Sequence, residues 1–279
     1  MTLTLVSENT CFGGTQRVYS HPSAATGTQM TFGLFLPPQA ELGPVPLLIY
    51  LSGLTCTHEN VMTKAGAQHW CAEHGLAFLM PDTSPRGEDV PDGESYDFGQ
   101  GAGFYVDATE PPWSQHFKME SYILKDLMDA VSSEIPQIDM TRKSITGHSM
   151  GGHGALTLAL KNPDMFKSVS AFSPIVSPIS CPWGQKALTG YLGSDEAVWR
   201  RYDSCALIKD GARMPDILVD QGTADQFLED ELKSHLLADA CAKAAIPLTL
   251  NMRNGYDHSY FFIQSFMADH VVWAAERLT

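Results

Sequence analysis

The stretch Gly147-His148-Ser149-Met150-Gly151 decides how this chain is interpreted. It lies between a short strand expected over 143–146 and a helical pattern over 152–161. Such a sharp turn from strand to helix strains the serine backbone and exposes the hydroxyl, and glycine on either side leaves room for it. Ser149 is therefore the candidate nucleophile. The alternative is that it only caps the helix that follows.

A serine hydroxyl becomes a good nucleophile only when a base takes its proton, and here an acid and then a histidine should follow in chain order. His258 is the expected base, because its loop lies between the last strand and the last helix. Four other histidines are expected to pack, to be solvated or to point away from Ser149: His148, His153, His235 and His270.

The acid that orients His258 should lie in the loop after the preceding strand, in Asp220-Gln221-Gly222-Thr223-Ala224-Asp225. Asp225 is preferred because it lies past the glycine turn, and Asp220 is the fallback. Asp225 could instead cap a helix. Asp257 is too close to His258 in sequence to be the first choice.

Two backbone N–H groups are needed to bind the oxyanion. Met150 supplies one as the residue after the nucleophile. The second is expected at Leu54, where Gly53 permits a close backbone approach, although Gly53 could equally mark a simple turn.

Outward from this motif, strands alternate with helices, which predicts a mostly parallel sheet with helices on both faces and an antiparallel start. Strands are expected over 16–21, 30–36, 45–51, 76–80, 143–146, 166–172, 216–219 and 248–252. Helices are expected over 65–73, 152–161, 229–243 and 260–277. Two long stretches, 81–113 and 173–201, fit no regular element and could wall a pocket. No linker is evident, so residues 1–279 are expected to form one domain.

Composition excludes several classes of protein. The chain has 18 Lys and Arg against 32 Asp and Glu, a net charge of −14, which disfavours binding to nucleic acid and anionic membranes. No apolar run approaches the roughly 20 residues of a membrane span, and residues 1–10 lack the basic start of a signal peptide, so a cytoplasmic location is expected. The six cysteines form no CxxC pair, which argues against zinc and favours reduced thiols.

Longer blocks of sequence resemble one family. They run from Tyr50 to Asn60 (YLSGLTCTHEN), Pro81 to Gly87 (PDTSPRG), Gly101 to Thr109 (GAGFYVDAT), Gly147 to Gly154 (GHSMGGHG), Asp220 to Asp225 (DQGTAD) and Tyr256 to Tyr260 (YDHSY). In this order they resemble the S-formylglutathione hydrolases, or esterase D, of the α/β-hydrolase superfamily. The resemblance implies the α/β-hydrolase fold, with catalytic residues Ser149, Asp225 and His258 and oxyanion donors at Leu54 and Met150.

The resemblance also implies hydrolysis of the small-molecule substrate S-formylglutathione to glutathione and formate, in formaldehyde detoxification, in the cytoplasm, without metal or cofactor. Family members are often dimers, so a homodimer is expected. Candidates for contact with the substrate are Cys56, Lys64 and Trp183, with Arg86, Lys118 and Trp113 as further possibilities; each could instead be a packed or solvated residue. The rival hypotheses are a broad carboxylesterase for short acyl esters and a binding protein that has kept the fold without the chemistry.

Overall fold

The computed structural model describes residues 2–279 and contains one nine-stranded sheet. The strands are β1 (Thr4–Cys11), β2 (Gly14–Pro22), β3 (Gln29–Leu36), β4 (Val45–Leu51), β5 (Ala77–Pro81), β6 (Ile138–Gly147), β7 (Val169–Phe172), β8 (Ile217–Gly222) and β9 (Leu248–Arg253). Their order is β1-β2-β3-β5-β4-β6-β7-β8-β9. Pairing is antiparallel from β1 through β3 to β5 and parallel from there to β9. The predicted mixed sheet with an antiparallel start is confirmed.

Ten α-helices surround the sheet within residues 2–279. They are α1 (His58–Lys64), α2 (Ala67–His74), α3 (Met119–Ser121), α4 (Leu127–Glu134), α5 (Met150–Lys161), α6 (Pro182–Leu192), α7 (Glu196–Trp199), α8 (Ser204–Lys209), α9 (Ser234–Ala244) and α10 (Tyr260–Arg277). No helix within residues 2–279 is both long enough and apolar enough to cross a bilayer.

The central strand β4 shows why the sheet is covered on both sides. Successive side chains of a strand point to opposite faces. Leu47 and Ile49 lie in one hydrophobic core, which also contains the buried side of α5, whereas Leu48 and Tyr50 lie in a second core with α2 and α10. The continuous apolar run is thus typical of a parallel strand buried on both faces.

Several boundaries differ from the sequence predictions. The helix expected over 65–73 begins at Ala67 (α2), because Gly66 before it adopts a left-handed conformation with φ of 64°. A further helix, α1, precedes it and was not predicted. The helix expected over 229–243 begins only at Ser234 (α9), after a π-helical segment, Leu228–Leu232. The strand expected over 166–172 is shorter, since β7 begins at Val169.

The expectation that 173–201 lacks regular structure was wrong. This stretch contains α6 and α7, and α6 begins with a proline in its first turn, a position that tolerates the missing N–H. Trp183, Ala187 and Tyr191, spaced by four residues, bury one face of α6. Stretch 81–113 is irregular after β5 as expected, and its first helical turn starts at Trp113.

Candidate active site

Ser149 lies at the turn between β6 and α5. Its backbone has φ of 58° and ψ of −120°, a conformation rarely adopted outside glycine, and its N–H donates to the carbonyl of Phe172 at 3.0 Å. A Cβ at Gly151 would collide with the carbonyl oxygen of Leu51, so only glycine fits there. Ser149 occupies the N-cap position of α5, but its side chain makes no capping hydrogen bond, so its hydroxyl is available to react.

His258 and Asp225 are brought together from loops 33 positions apart. The Nδ1 atom of His258 lies 2.6 Å from Oδ2 of Asp225, whose side chain is fully buried. Burial disfavours the charged form of Asp225, but the hydrogen bond and charge of His258 outweigh it and lower the pKa of this carboxyl group. The other oxygen, Oδ1, accepts the N–H of Phe227 at 2.9 Å. The carboxylate therefore holds the imidazole and also caps the following turn.

Two aromatic rings flank the imidazole of His258. Phe227 approaches edge-on with its ring centroid at 5.1 Å, and His148 lies at 4.3 Å. His148 was expected to point away from Ser149, which was wrong, because both line the same cavity. Burial and the nearby charge of His258 keep the pKa of His148 well below its usual value, so its ring is neutral and does not repel a charged neighbour.

The loop after β4 lies directly against the serine. A Cβ at Gly53 would come within 3.2 Å of the Cβ of Ser149, so the absence of a side chain there allows the close approach. The N–H groups of Thr55 and Cys56 donate to the carbonyls of Gly101 and Gly53, and these turn bonds do not use the N–H of Leu54.

The other expected donor is the first residue of α5. Met150 occupies that position, where an N–H has no acceptor within its own helix. A helix N-terminus of this kind favours negative charge.

These groups border one cavity of about 240 Å³. Apolar and aromatic side chains make up much of its wall, and the lining residues are Gly53, Leu54, Thr55, Cys56, Tyr96, His148, Ser149, Trp183, Phe227, His258, Ser259 and Tyr260. They meet because β4, β6, β8 and β9 are parallel, so the loops after them emerge at the same edge of the sheet.

The sequence candidates for substrate contact divide into two groups. Cys56 and Trp183 line the cavity. Lys64 does not line it, but its ammonium lies 5.7 Å from the ring centroid of Tyr260, which does. Cys56 is buried, with its sulfur 3.9 Å from the hydroxyl of Tyr260.

The remaining three candidates serve the fold instead. Arg86 pairs with Asp82 at 3.0 Å, and Lys118 donates to the carbonyl of Ala108. Trp113 packs against Phe98, Phe117 and Tyr191.

The alternative acids are engaged elsewhere. Asp220 forms an ion pair with Arg253 at 2.8 Å, while Asp257 accepts from the backbone and hydroxyl of Ser259. Three of the four alternative histidines are packed against other groups or exposed. His270 stacks on Phe172, the Nε2 of His153 lies 2.9 Å from the carbonyl of Phe104, and His235 is exposed.

Three aromatic residues that line the cavity were not singled out from sequence: Tyr96, Phe227 and Tyr260. Phe227 and Tyr260 each lie two positions after a predicted site residue, so their nearness in sequence was a usable signal. Tyr96 lies in the irregular stretch after β5, where no periodicity indicates a direction. Within residues 2–279, no group of three or more His, Cys, Asp or Glu side chains is arranged to hold a metal ion.

The chain is similar to known proteins over nearly its whole length. Residues 23–273 match the model of the Esterase family, described as "Putative esterase". The S-formylglutathione hydrolase of Paracoccus denitrificans (strain Pd 1222) is 58% identical over 273 residues, covering 98% of this chain and 97% of that protein. The chain belongs to the S-formylglutathione hydrolase family.

Two further relatives of the family cover nearly the full length. The S-formylglutathione hydrolase of Mus musculus is 49% identical over 285 residues, covering 100% of this chain and 99% of that protein. The solved structure of an S-formylglutathione hydrolase from Agrobacterium tumefaciens superposes with a TM-score of 0.97 at 54% identity, covering 99% of both chains. The expected α/β-hydrolase fold and the expectation of a hydrolase are thereby confirmed.

Proposed function

We propose that this chain hydrolyses S-formylglutathione to glutathione and formate through a formyl-enzyme intermediate on Ser149. Family membership supports the substrate. The observation that carries the chemistry is the 2.6 Å contact between His258 and Asp225, beside the cavity that Ser149 also lines.

In the first half of the reaction, the Oγ of Ser149 attacks the formyl carbon while Nε2 of His258 removes its proton. Asp225 holds the imidazole in the required tautomer and stabilises the imidazolium that forms. The N–H groups of Leu54 and Met150 bind the oxyanion, and the loss of one such donor typically costs about 3 kcal/mol of transition-state stabilisation.

In the second half, the carbon–sulfur bond breaks and the glutathione sulfur takes the proton from His258. A thiol with an ordinary pKa of about 8.5 leaves more readily than an alcohol, so little is required of His258 as an acid. Water, deprotonated by His258, then attacks the formyl ester, and His258 returns that proton to the Oγ of Ser149 as formate is released. The scheme uses no metal or cofactor.

A broad carboxylesterase for short acyl esters is the second candidate. The side chains of Leu54, Trp183 and Phe227 give the cavity largely apolar walls, and an apolar wall discriminates only weakly between a formyl hydrogen and a methyl group. The same Ser149 would then act on acetyl esters, and the ratio of kcat/KM for S-formylglutathione to that for 4-nitrophenyl acetate separates the two functions.

The cellular location and the oligomeric state are part of the same proposal. We place the enzyme in the cytoplasm and in a homodimer, in keeping with the resemblance to a family whose members are often dimers. Light scattering on the purified protein measures the second of these directly.

The test compares the wild type with Ser149→Ala on both substrates. The wild type should strongly prefer S-formylglutathione, and the variant should lose at least about 10⁴-fold in kcat while keeping its circular dichroism spectrum. A preference for the acetyl ester would favour the carboxylesterase, and an active Ser149→Ala variant would exclude the serine mechanism.

A further inference from the structure

The cavity beside Ser149 is too small for the whole proposed substrate. Its volume is about 240 Å³, below the roughly 300–1,000 Å³ of pockets that hold drug-sized ligands. The formyl thioester fits, but the peptide part of glutathione must lie outside.

A second depression adjoins the cavity. It has a volume of about 600 Å³ and is lined by the residues Thr63, Lys64, Ser259, Tyr260, Phe261 and Gln264. Ser259 and Tyr260 line both spaces, so the depression and the cavity are neighbours. We refer to this depression, between the end of α1 and the start of α10, as the arm groove.

Lys64 gives the arm groove its charge. It is the only cation among the lining residues, it is exposed, and no ion pair within residues 2–279 uses it. Its ammonium lies 5.7 Å from the ring centroid of Tyr260, and the hydroxyl of Tyr260 lies 3.9 Å from the sulfur of Cys56 in the cavity. The positive charge is thus within a few side chains of the reacting centre.

The substrate has the complementary charge. The peptide part of glutathione has two carboxylates and one ammonium, so it carries a net negative charge at neutral pH. A protein with a net charge of −14 repels such a ligand over most of its surface. A cation without a partner beside the cavity offsets that repulsion locally.

The other side chains of the arm groove suit a peptide. Phe261 is 81% exposed and provides an apolar wall. Gln264 is exposed, and its amide makes no hydrogen bond within the described chain, so it can both donate to and accept from a peptide group.

We propose that the arm groove binds the peptide part of glutathione, with Lys64 pairing with one of its carboxylates, Gln264 bonding to a peptide group and Phe261 packing against the chain. This inference rests on the proposed function. It assigns recognition of the leaving group to a surface separate from the residues that break the bond.

The test uses Lys64→Gln, Lys64→Glu and Lys64→Arg, with Lys243→Gln as the matched control. Lys243 is also exposed, has no ion pair within residues 2–279 and lines a different depression, so the control makes the same change in net charge elsewhere. KM for S-formylglutathione should rise about three- to tenfold in Lys64→Gln and further in Lys64→Glu, with kcat nearly constant. Lys64→Arg and the control should stay within about twofold of the wild type. Hydrolysis of 4-nitrophenyl acetate, which has no peptide part, should be unchanged in all four.

A second readout separates this inference from the proposed function. S-methylglutathione carries the peptide part without an acyl group and should inhibit hydrolysis of 4-nitrophenyl acetate, with an inhibition constant that rises in Lys64→Gln and in Phe261→Ser. If the wild type does not hydrolyse S-formylglutathione but this inhibition still depends on Lys64, the function is wrong and the arm groove stands. If KM and inhibition are insensitive to Lys64, or if both substrates are affected equally, the arm groove proposal is overturned.

Discussion

Replacing Asp225 with asparagine removes the charge that stabilises the imidazolium of His258 and changes which nitrogen of the neutral imidazole carries the proton. In the wild type, Oδ2 lies 2.6 Å from Nδ1 of His258, and Oδ1 accepts the N–H of Phe227. An asparagine can satisfy only one of these donors with its single oxygen. If the oxygen faces Phe227, the amide NH₂ faces both His258 and the NH₂ of Gln221, which lies 3.2 Å from Oδ2.

In that arrangement the ring proton of His258 moves to Nε2, where the ring can no longer accept the proton of Ser149. A hydrogen bond to a charged group contributes about 1.5–3 kcal/mol, which alone corresponds to roughly 10- to 150-fold in rate. The wrong tautomer adds to this loss, and the equivalent change in chymotrypsin-like proteases costs about 10⁴-fold. We therefore expect kcat of Asp225→Asn to fall between about 10³- and 10⁴-fold, with little change in KM.

The assay is the initial rate of S-formylglutathione hydrolysis, with thermal unfolding as a check on folding. Asp257→Asn is the matched control, because this exposed carboxylate is adjacent to His258 in sequence but binds Ser259 instead. The control should remain within about threefold of the wild type, as is usual for surface changes. A folded Asp225→Asn enzyme that retains more than a tenth of wild-type kcat would refute the assigned role of Asp225.

Three further predictions concern other residues of the chain. Burial raises the pKa of the Cys56 thiol, so iodoacetamide should inactivate the enzyme slowly, and faster as the pH rises. The Cys56→Ser variant should resist inactivation, and equal sensitivity of the two proteins would show that another residue reacts. Trp183→Ala should enlarge the cavity and raise the ratio of the hydrolysis rate of 4-nitrophenyl butyrate to that of 4-nitrophenyl acetate at least about tenfold, since one methylene is worth about 1–3 kcal/mol in such a pocket. An unchanged ratio would mean that Trp183 does not limit the size of the acyl group. Hydrogen bonds from Thr141 and Arg142 lower the pKa of Asp139 to about 2, below its value of about 3.9 in the unfolded chain. The ionised carboxylate therefore stabilises the folded protein fully above about pH 3.9, and this contribution is lost as the pH falls through about 2. Asp139→Asn should therefore lower the free energy of unfolding by about 1 kcal/mol at pH 7, after allowance for solvent screening, and by less as the pH falls from about 4 towards 2. Urea titrations in which the difference in free energy of unfolding between wild type and variant stays the same over this pH range would contradict this account.

Much of the fold could be predicted because its strongest signals are local. The apolar run of β4 and the long pattern of α10 have the bounds expected from sequence, since buried parallel strands and long amphipathic helices leave clear periodicities. By contrast, β1 was missed because almost all of its residues are exposed at the edge of the sheet. α6 was missed because it follows a segment rich in proline and serine, and its helical face becomes evident only when Trp183 and Tyr191 are seen to be buried.

Some features of the site could likewise be predicted from sequence, and others could not. The candidates Ser149, Asp225 and His258 could be named from motif, chain order and position after strands. The ring contact between His148 and His258 could not, because it depends on how two loops from β6 and β9 approach each other in space. Choosing between Asp220 and Asp225 rested on one glycine turn, and the structure adds the reason: Arg253 already binds Asp220.

The most direct test of the central claim is the identity of the residue that receives the formyl group. Wild-type enzyme mixed with S-formylglutathione, quenched in acid and digested, should yield one formylated peptide that contains Ser149, and Ser149→Ala should yield none. A formyl group found on Cys56 or any other side chain, or rapid turnover with no label on Ser149 at any quench time, would contradict the account.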